Sequence, residues 1–149
     1  MELDEVDRKI LKILQADGRT ALSEIARRLD MGSATIHERV NALEAEGYIR
    51  EYRAVLDPEL LDVDQVAFIR VTTTAGRFSE VAERLAEEDY IQEIHEITGD
   101  SDLLLKVRVS EQSEITDLLS TIGTYEGVEE TSTDIALRSV MEKHTLTLE

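Results

Sequence analysis

Residues 24–43 read "EIARRLDMGSATIHERVNAL". Two stretches with helical spacing flank the turn "DMGS" at 30–33. In the first, Leu22, Ile25, Ala26 and Leu29 share one face. In the second, Ile36, Val40 and Leu43 do so. The outward side of the second stretch carries Ala34, His37, Glu38, Asn41 and Ala45, with Thr35 at the border. It is small and polar towards its start, where Ser33 is the expected cap. A helix whose first turns enter the major groove of double-stranded DNA needs that composition, because bulky apolar groups there would be stranded in water. Asn41 offers a bidentate bond to adenine. His37 can donate to guanine or a phosphate, and Glu38 can accept from cytosine N4. Arg27, Arg28, Arg39, Arg50 and Arg53 are candidates for holding phosphates, the last two on the wing side. The same stripes suit any three-helix bundle with a solvated outer face, so the pattern alone leaves both readings open.

Upstream, Asp4 and Asp7 sit three apart at the start of a stripe formed by Leu3, Val6, Ile10 and Leu14. This predicts a capped first helix that stops at Gly18. Thr20 is the expected cap of the second helix, and Gly47 the stop of the third. "YIREYRAVL" (48–56) interleaves β-formers with charge and predicts a short hairpin or wing. Pro58, the only proline, breaks the pattern and places a linker near 57–63.

Beyond the linker the period changes. "QVAFIRVTTT" reads as a strand, "FSEVAERLAEE" as a helix with Val81, Ala82 and Leu85 on one face, and "YIQEIHEIT" as a second strand. "LLLKVRV" alternates Leu103, Leu105, Val107 and Val109 against Leu104, Lys106 and Arg108. "SEITDLLSTI" is helical, Gly123 and Gly127 bracket a turn, and "VEETSTDIAL" closes the chain's last strand. The order β-α-β-β-α-β predicts a ferredoxin-like module, an antiparallel sheet with two helices on one face. The expected fold class is α+β: a winged helix-turn-helix over 1–60, then this module over 61–149.

Of 149 residues, 33 are Asp or Glu and 16 are Lys or Arg, a net charge of -17 at pH 7. Residues 1–60 hold 9 basic against 13 acidic side chains, and 61–149 hold 7 against 20. The front half is the less repulsive to nucleic acid, but it is no basic patch. Arg supplies 12 of the basic residues and Lys 4. High acid with little Lys points to a very salty cytoplasm, as in a halophile, because extreme charge destabilises a compact state unless it is screened. An ordinary acidic protein is the plainer alternative. There is no Cys, which excludes disulfides and cysteine metal sites. No apolar run reaches membrane length and the start "MELDEVDRKI" is acidic, so a cytoplasmic protein with no membrane partner is expected. No cofactor or metal is expected.

"LDEVDRKILKILQADGRTALSEIARRL", "RVNALEAEGYIREYRAVLDPELL", "IQEIHEITGDSDLLLKVRV" and "GVEETSTDIAL" together resemble the Lrp/AsnC family of feast/famine regulators, from about Leu3 to Leu146. The resemblance implies a winged helix-turn-helix that binds promoter DNA and a C-terminal module for effector binding and assembly. It implies a homodimer, often assembled to octamers or larger rings, that answers to an amino acid or related metabolite. The family's pocket maps to the loop Thr98, Gly99, Asp100, Ser101 and Asp102, with Thr131 and Thr133 matching paired threonines of the last strand. The residues fit that chemistry. Gly99 permits close backbone approach, loop N–H groups suit a carboxylate, and Asp100 or Asp102 suits an ammonium. A plain tight turn capped by its Asp residues explains the same letters.

Two positions depart from the family pattern. Gly32 and Asp30 stand where the family usually has Ser and Gly, and Ser101 stands where the loop usually has an aromatic. Two further alternatives come from other classes. Some proteins of this architecture decarboxylate sirohaem, which calls for His and Arg around a large ring, and this chain has only His37, His95 and His144. An effector sensor that has lost DNA binding is the other.

Overall fold

The computed structural model describes residues 2–149. The chain forms two compact units: one runs to Val55 and is rejoined by Lys143–Glu149, the other is Leu56–Glu142. They part a few residues ahead of the expected division at 60/61, and the last seven residues cluster with the first unit rather than the second. No helix among the described residues is long and apolar enough to cross a membrane.

The first unit is built from α1 (Glu5–Ala16), α2 (Leu22–Leu29) and α3 (Ser33–Ala45). α1 opens with a reciprocal cap. The Asp7 N–H donates to Asp4 Oδ1 at 2.8 Å, and the Asp4 N–H donates to Asp7 Oδ2 at 3.2 Å, which satisfies two otherwise unpaired amides. The inward stripes meet as expected, with Ile10, Ile25, Ile36 and Leu43 fully buried in one cluster. Glu46 caps the C-terminal end of α3, and Gly47 follows at φ +79 while the Ile49 N–H returns to the Leu43 carbonyl.

Four local expectations are corrected. α1 is stopped by Asp17 in extended geometry, without a left-handed Gly18. Thr20 does not cap α2; its hydroxyl bonds back to the Asp17 carbonyl and Ala21 stands at the cap position. Ser33 is the first residue of α3, with Gly32 as its cap, so α3 starts without a side-chain cap. Residues 50–57 form neither strand nor turn, so the wing is an irregular stretch and not the hairpin that was one of its two expected forms. A strand needs a ladder partner, and this stretch has none among the described residues of its unit. Tyr52 is instead tied to α3 through its hydroxyl and Glu44 Oε1, at 2.8 Å.

The second unit follows the predicted order: β1 (Gln65–Thr73), α4 (Phe78–Leu85), β2 (Ile91–Glu96), β3 (Leu103–Val109), α5 (Gln112–Gly123) and β4 (Val128–Ile135). The sheet runs β2-β3-β1-β4 with every neighbour antiparallel. Ile69 pairs with Leu105 and Val71 with Leu103. Directly opposed residues point to one side, so these side chains share the face covered by Val81 and Leu85 of α4 and Ile115, Leu118 and Ile122 of α5. Phe68, Arg70, Leu104, Lys106 and Arg108 lie on the other face. There Lys106 and Arg108 clasp the Glu142 carboxylate, with closest approaches of 2.5 Å from each.

Candidate functional sites: the outward face of α3 and the loop before β3

On α3, Ser33, Ala34, Thr35, His37, Glu38 and Asn41 are all exposed, while Ile36, Val40 and Leu43 are buried beneath them. The helix therefore presents the expected polar row on a fixed base. The left-handed turn that aims it is made by Asp30 at φ 51, ψ 49, with the Met31 N–H bonded to the Ala26 carbonyl. Asp is one of the few side chains that tolerate this geometry, which accounts for its standing where the family has Gly.

The arginines divide into groups. Arg39 is part of the fold: its Nη1 lies 2.7 Å from both Asp4 Oδ2 and Asp7 Oδ1, and Asp7 is only 5% exposed. The Asp7 N–H, and then Arg39, hold the Asp4 carboxyl below its usual range. Arg27 and Arg28 are exposed and share Glu24, at 2.7 and 2.9 Å. Their bonds lower the Glu24 carboxyl to about 2, so it is fully ionised near neutrality. Arg50 and Arg53 lie on the exposed stretch after α3, with Arg53 only loosely paired to Glu51 at 3.5 Å. Two of these groupings were hidden differently in the sequence. Glu24 is three and four residues before its arginines, a spacing that announces helix-face pairs. The Asp4–Asp7–Arg39 cluster joins residues more than thirty apart and has no local signal.

The second candidate lies between β2 and β3. Gly99 has φ +115, a conformation that side chains other than glycine rarely adopt. Thr98, Gly99 and Asp100 are exposed at the loop apex, and Ser101 and Asp102 are half-buried. Asp102 is already engaged. Its Oδ2 accepts from the Thr73 N–H at 2.7 Å and from Thr73 Oγ1 at 3.0 Å. Ser101 Oγ is 3.5 Å from Thr72 Oγ1, a weak contact. Thr131 and Thr133 are half-buried on β4, opposite Val71 and Ile69. Thr131 thus shares a row with Val71 and Leu103, at the sheet end where the loop is rooted, and Thr133 lies one step further in. Thr73, the loop's anchor, was missed in the sequence: nothing local marks a threonine that meets an aspartate across two strands.

His95 Nε2 lies 3.1 Å from Glu93 Oε2 on the exposed side of β2, an ordinary surface pair. Among the described residues no group of His, Asp or Glu is arranged to hold a metal ion.

A winged helix-turn-helix joined to a small-molecule-binding α/β module defines a transcription regulator that binds DNA and answers to an effector. Residues 3–50 match the model of a winged helix-turn-helix DNA-binding domain, and residues 66–146 match that of the Lrp/AsnC ligand-binding domain. The chain is 44% identical over 140 residues to the HTH-type transcriptional regulator FL11 of Pyrococcus horikoshii, covering 94% of this chain and 93% of that protein. It is 35% identical over 154 residues to the leucine-responsive regulatory protein of Escherichia coli, covering 99% and 92%. Among solved structures it is similar to a transcriptional regulator of Neisseria meningitidis in complex with L-Met, at a TM-score of 0.88 and 26% identity over 98% of this chain and 97% of that one. The chain belongs to the Lrp/AsnC family. Its relatives are transcription regulators, not enzymes, which sets aside the decarboxylase alternative.

Proposed function

We propose that the effector is an amino acid held at the Thr98–Asp102 loop, and that its binding changes how α3 is presented to DNA. The observation that carries this reading is the apex itself, where exposed Asp100 follows a Gly99 at φ +115. An amino acid puts an ammonium and a carboxylate on one carbon, and a carboxylate beside open backbone N–H groups matches both charges. The Neisseria relative's complex with L-Met is in keeping with this ligand class. Ser101 in place of an aromatic leaves the apex more polar, which favours a ligand with a polar side chain. Thr131 shares the sheet row at which the loop is rooted and is the nearer of the two β4 threonines to it.

On the DNA side, Ala34, Thr35, His37, Glu38 and Asn41 read base edges, Ser33 contacts the backbone, and Arg27, Arg28, Arg50 and Arg53 hold phosphates. Arg39 is reassigned from phosphate contact to holding α3 against α1. The working form is a cytoplasmic homodimer, two of whose reading helices meet half-sites about one turn apart, with dimers assembling to an octamer. The charge of -17 marks adaptation to a salty interior.

The test is affinity for promoter fragments from the regulator's own neighbourhood, measured by fluorescence anisotropy with each of the twenty L-amino acids in turn. One or a few should shift affinity by about fivefold or more, the usual size of an allosteric coupling. Sedimentation of the full chain gives the assembly state in the same buffers. A response to none of the twenty, or equal affinity for promoter and random DNA, overturns the reading.

A further inference from the structure

The loop before β3 hangs from Asp102. The β1–β3 ladder ends at the pair Val71–Leu103. Backbone N–H groups two apart on a strand point the same way, so the next β1 donor on that side is the Thr73 N–H. It finds no further strand residue there and bonds instead to Asp102 Oδ2 at 2.7 Å, while the Thr73 hydroxyl reaches the same oxygen at 3.0 Å. Thr73 is only 8% exposed, so this is an amide that must find an acceptor inside the fold. The backbone of Asp102 is held as well. Its N–H donates to the Val71 carbonyl at 3.0 Å, and its carbonyl accepts from the Ile97 N–H at 2.9 Å. One residue thereby joins the end of β1, the exit from β2 and the entry to β3.

We propose that Asp102 is a positioning residue of the effector site and not one of its ligands. By gripping Thr73 it fixes the base of the loop that presents Gly99, Asp100 and Ser101. This rests on the reading that the loop takes an amino acid. The two carboxylates of "GDSD" then have separate tasks. Asp100, exposed beside Gly99, meets the ammonium. Asp102, whose oxygen already serves two donors, sets where Asp100 stands. A ligand ammonium at Asp102 Oδ2 would have to displace the Thr73 amide and leave it unpaired, which leaves only Oδ1 as a rival contact, and asparagine puts an N–H donor or an uncharged oxygen there.

Asparagine separates these tasks. Its Oδ1 accepts the same two bonds but carries no charge. The experiment uses the full-length regulator and the variants Asp102→Asn, Asp102→Ala, Thr73→Val and Asp100→Asn. Two readouts are taken: hydrogen exchange of the Thr73 and 99–101 amides with no ligand present, and the shift in promoter affinity produced by each of the twenty L-amino acids. Asp102→Ala should speed loop exchange and weaken the response, each by roughly tenfold, the scale of a lost hydrogen bond to a charged group. Thr73→Val keeps the amide bond and loses only the hydroxyl, so it should show the same changes at smaller size if Asp102→Ala folds poorly. Asp102→Asn should stay near wild type in both readouts, and Asp100→Asn should lose response with exchange unchanged. An Asp102→Asn variant that loses the response while its exchange stays normal makes Asp102 a charge ligand and overturns the proposal. Unchanged exchange in both Asp102→Ala and Thr73→Val overturns the grip. A wild type that answers to none of the twenty, with exchange still rising in Asp102→Ala, leaves the grip intact and removes the amino-acid reading instead.

Discussion

Arg39 and Glu142 show how single side chains hold each unit. Asp7 is buried with a carboxylate that accepts from the Asp4 N–H and from Arg39, so removing the guanidinium strands one of its oxygens. Arg39→Met, which keeps the stem and deletes the charge, should cost about 1–3 kcal/mol of stability, the range for a buried polar group left unpaired. Urea unfolding reads that loss, and promoter affinity per folded molecule should stay near wild type. Lost affinity at unchanged stability would return Arg39 to the DNA surface. Glu142 is held by Lys106 first and Arg108 second, which lowers its carboxyl from 4.5 to about 2. A depressed carboxyl pKa stabilises the folded state fully above the unfolded value of 4.5 and loses that contribution as pH falls towards 2. Wild type should therefore melt above Glu142→Gln at pH 7, with the gap closing between pH 4.5 and about 2. The pair is partly open to water, so the gap belongs at the modest end of ion-pair energies. A gap that persists below that window would mean Glu142 acts through packing, not charge.

At the scale of elements, periodic patterns set by nearby residues were legible. The Asp4/Asp7 cap, the buried stripe of α3 and the alternation along β3 rest on spacings of three, four and two, and each formed as read. Part of what failed depended on partners far along the chain or absent, and part on competition between close neighbours for the same cap. "YIREYRAVL" has strand chemistry but no strand to join. Thr20 spends its hydroxyl on Asp17, and the tail at Leu146 is caught in both directions by the Gln15 amide, at 2.8 and 2.9 Å. The loop between β2 and β3 was legible in position but its anchorage was not, since Thr73 meets Asp102 only after the sheet forms. The turn into α3 gives a test at this scale. Asp30 sits at φ 51, where glycine pays no steric cost and a β-branched side chain pays heavily. Asp30→Gly should leave thermal stability unchanged or raise it by up to about 1 kcal/mol. Asp30→Val should lower it by more than that and weaken DNA binding with it, because this turn aims α3. A Val variant as stable as wild type would mean the turn is remade in solution.

At the scale of the whole molecule the question is how a chain of net charge -17 holds a polyanion. Ion pairing inside the first unit sharpens it. Glu24 sits on Arg27 and Arg28, and Arg39 is turned inward to Asp4 and Asp7, so three of the arginines nearest the reading helix already share their charge with a carboxylate. A conventional binder with many phosphate contacts draws affinity from counterion release and loses roughly 10³–10⁵ between 50 and 200 mM salt. A regulator with this charge gains little from that term and meets long-range repulsion at low salt. Near 1 M the screening length falls to ~3 Å, and the repulsion from distant acidic residues fades before the contacts made at the helix face do. On the proposed reading, base-edge bonds from Asn41 and His37, apolar contact at Ala34 and avidity from several dimers on one site would then carry the affinity. Specific-site affinity measured by anisotropy from 0.1 to 3 M KCl should accordingly be flat or rise with salt. Asn41→Ala should cost on the order of 1–3 kcal/mol at one base pair per half-site, and by the same amount at every salt concentration. A steep fall with salt, leaving no binding above about half molar, is the profile of an ordinary counterion-release binder and would overturn the salt-adapted reading.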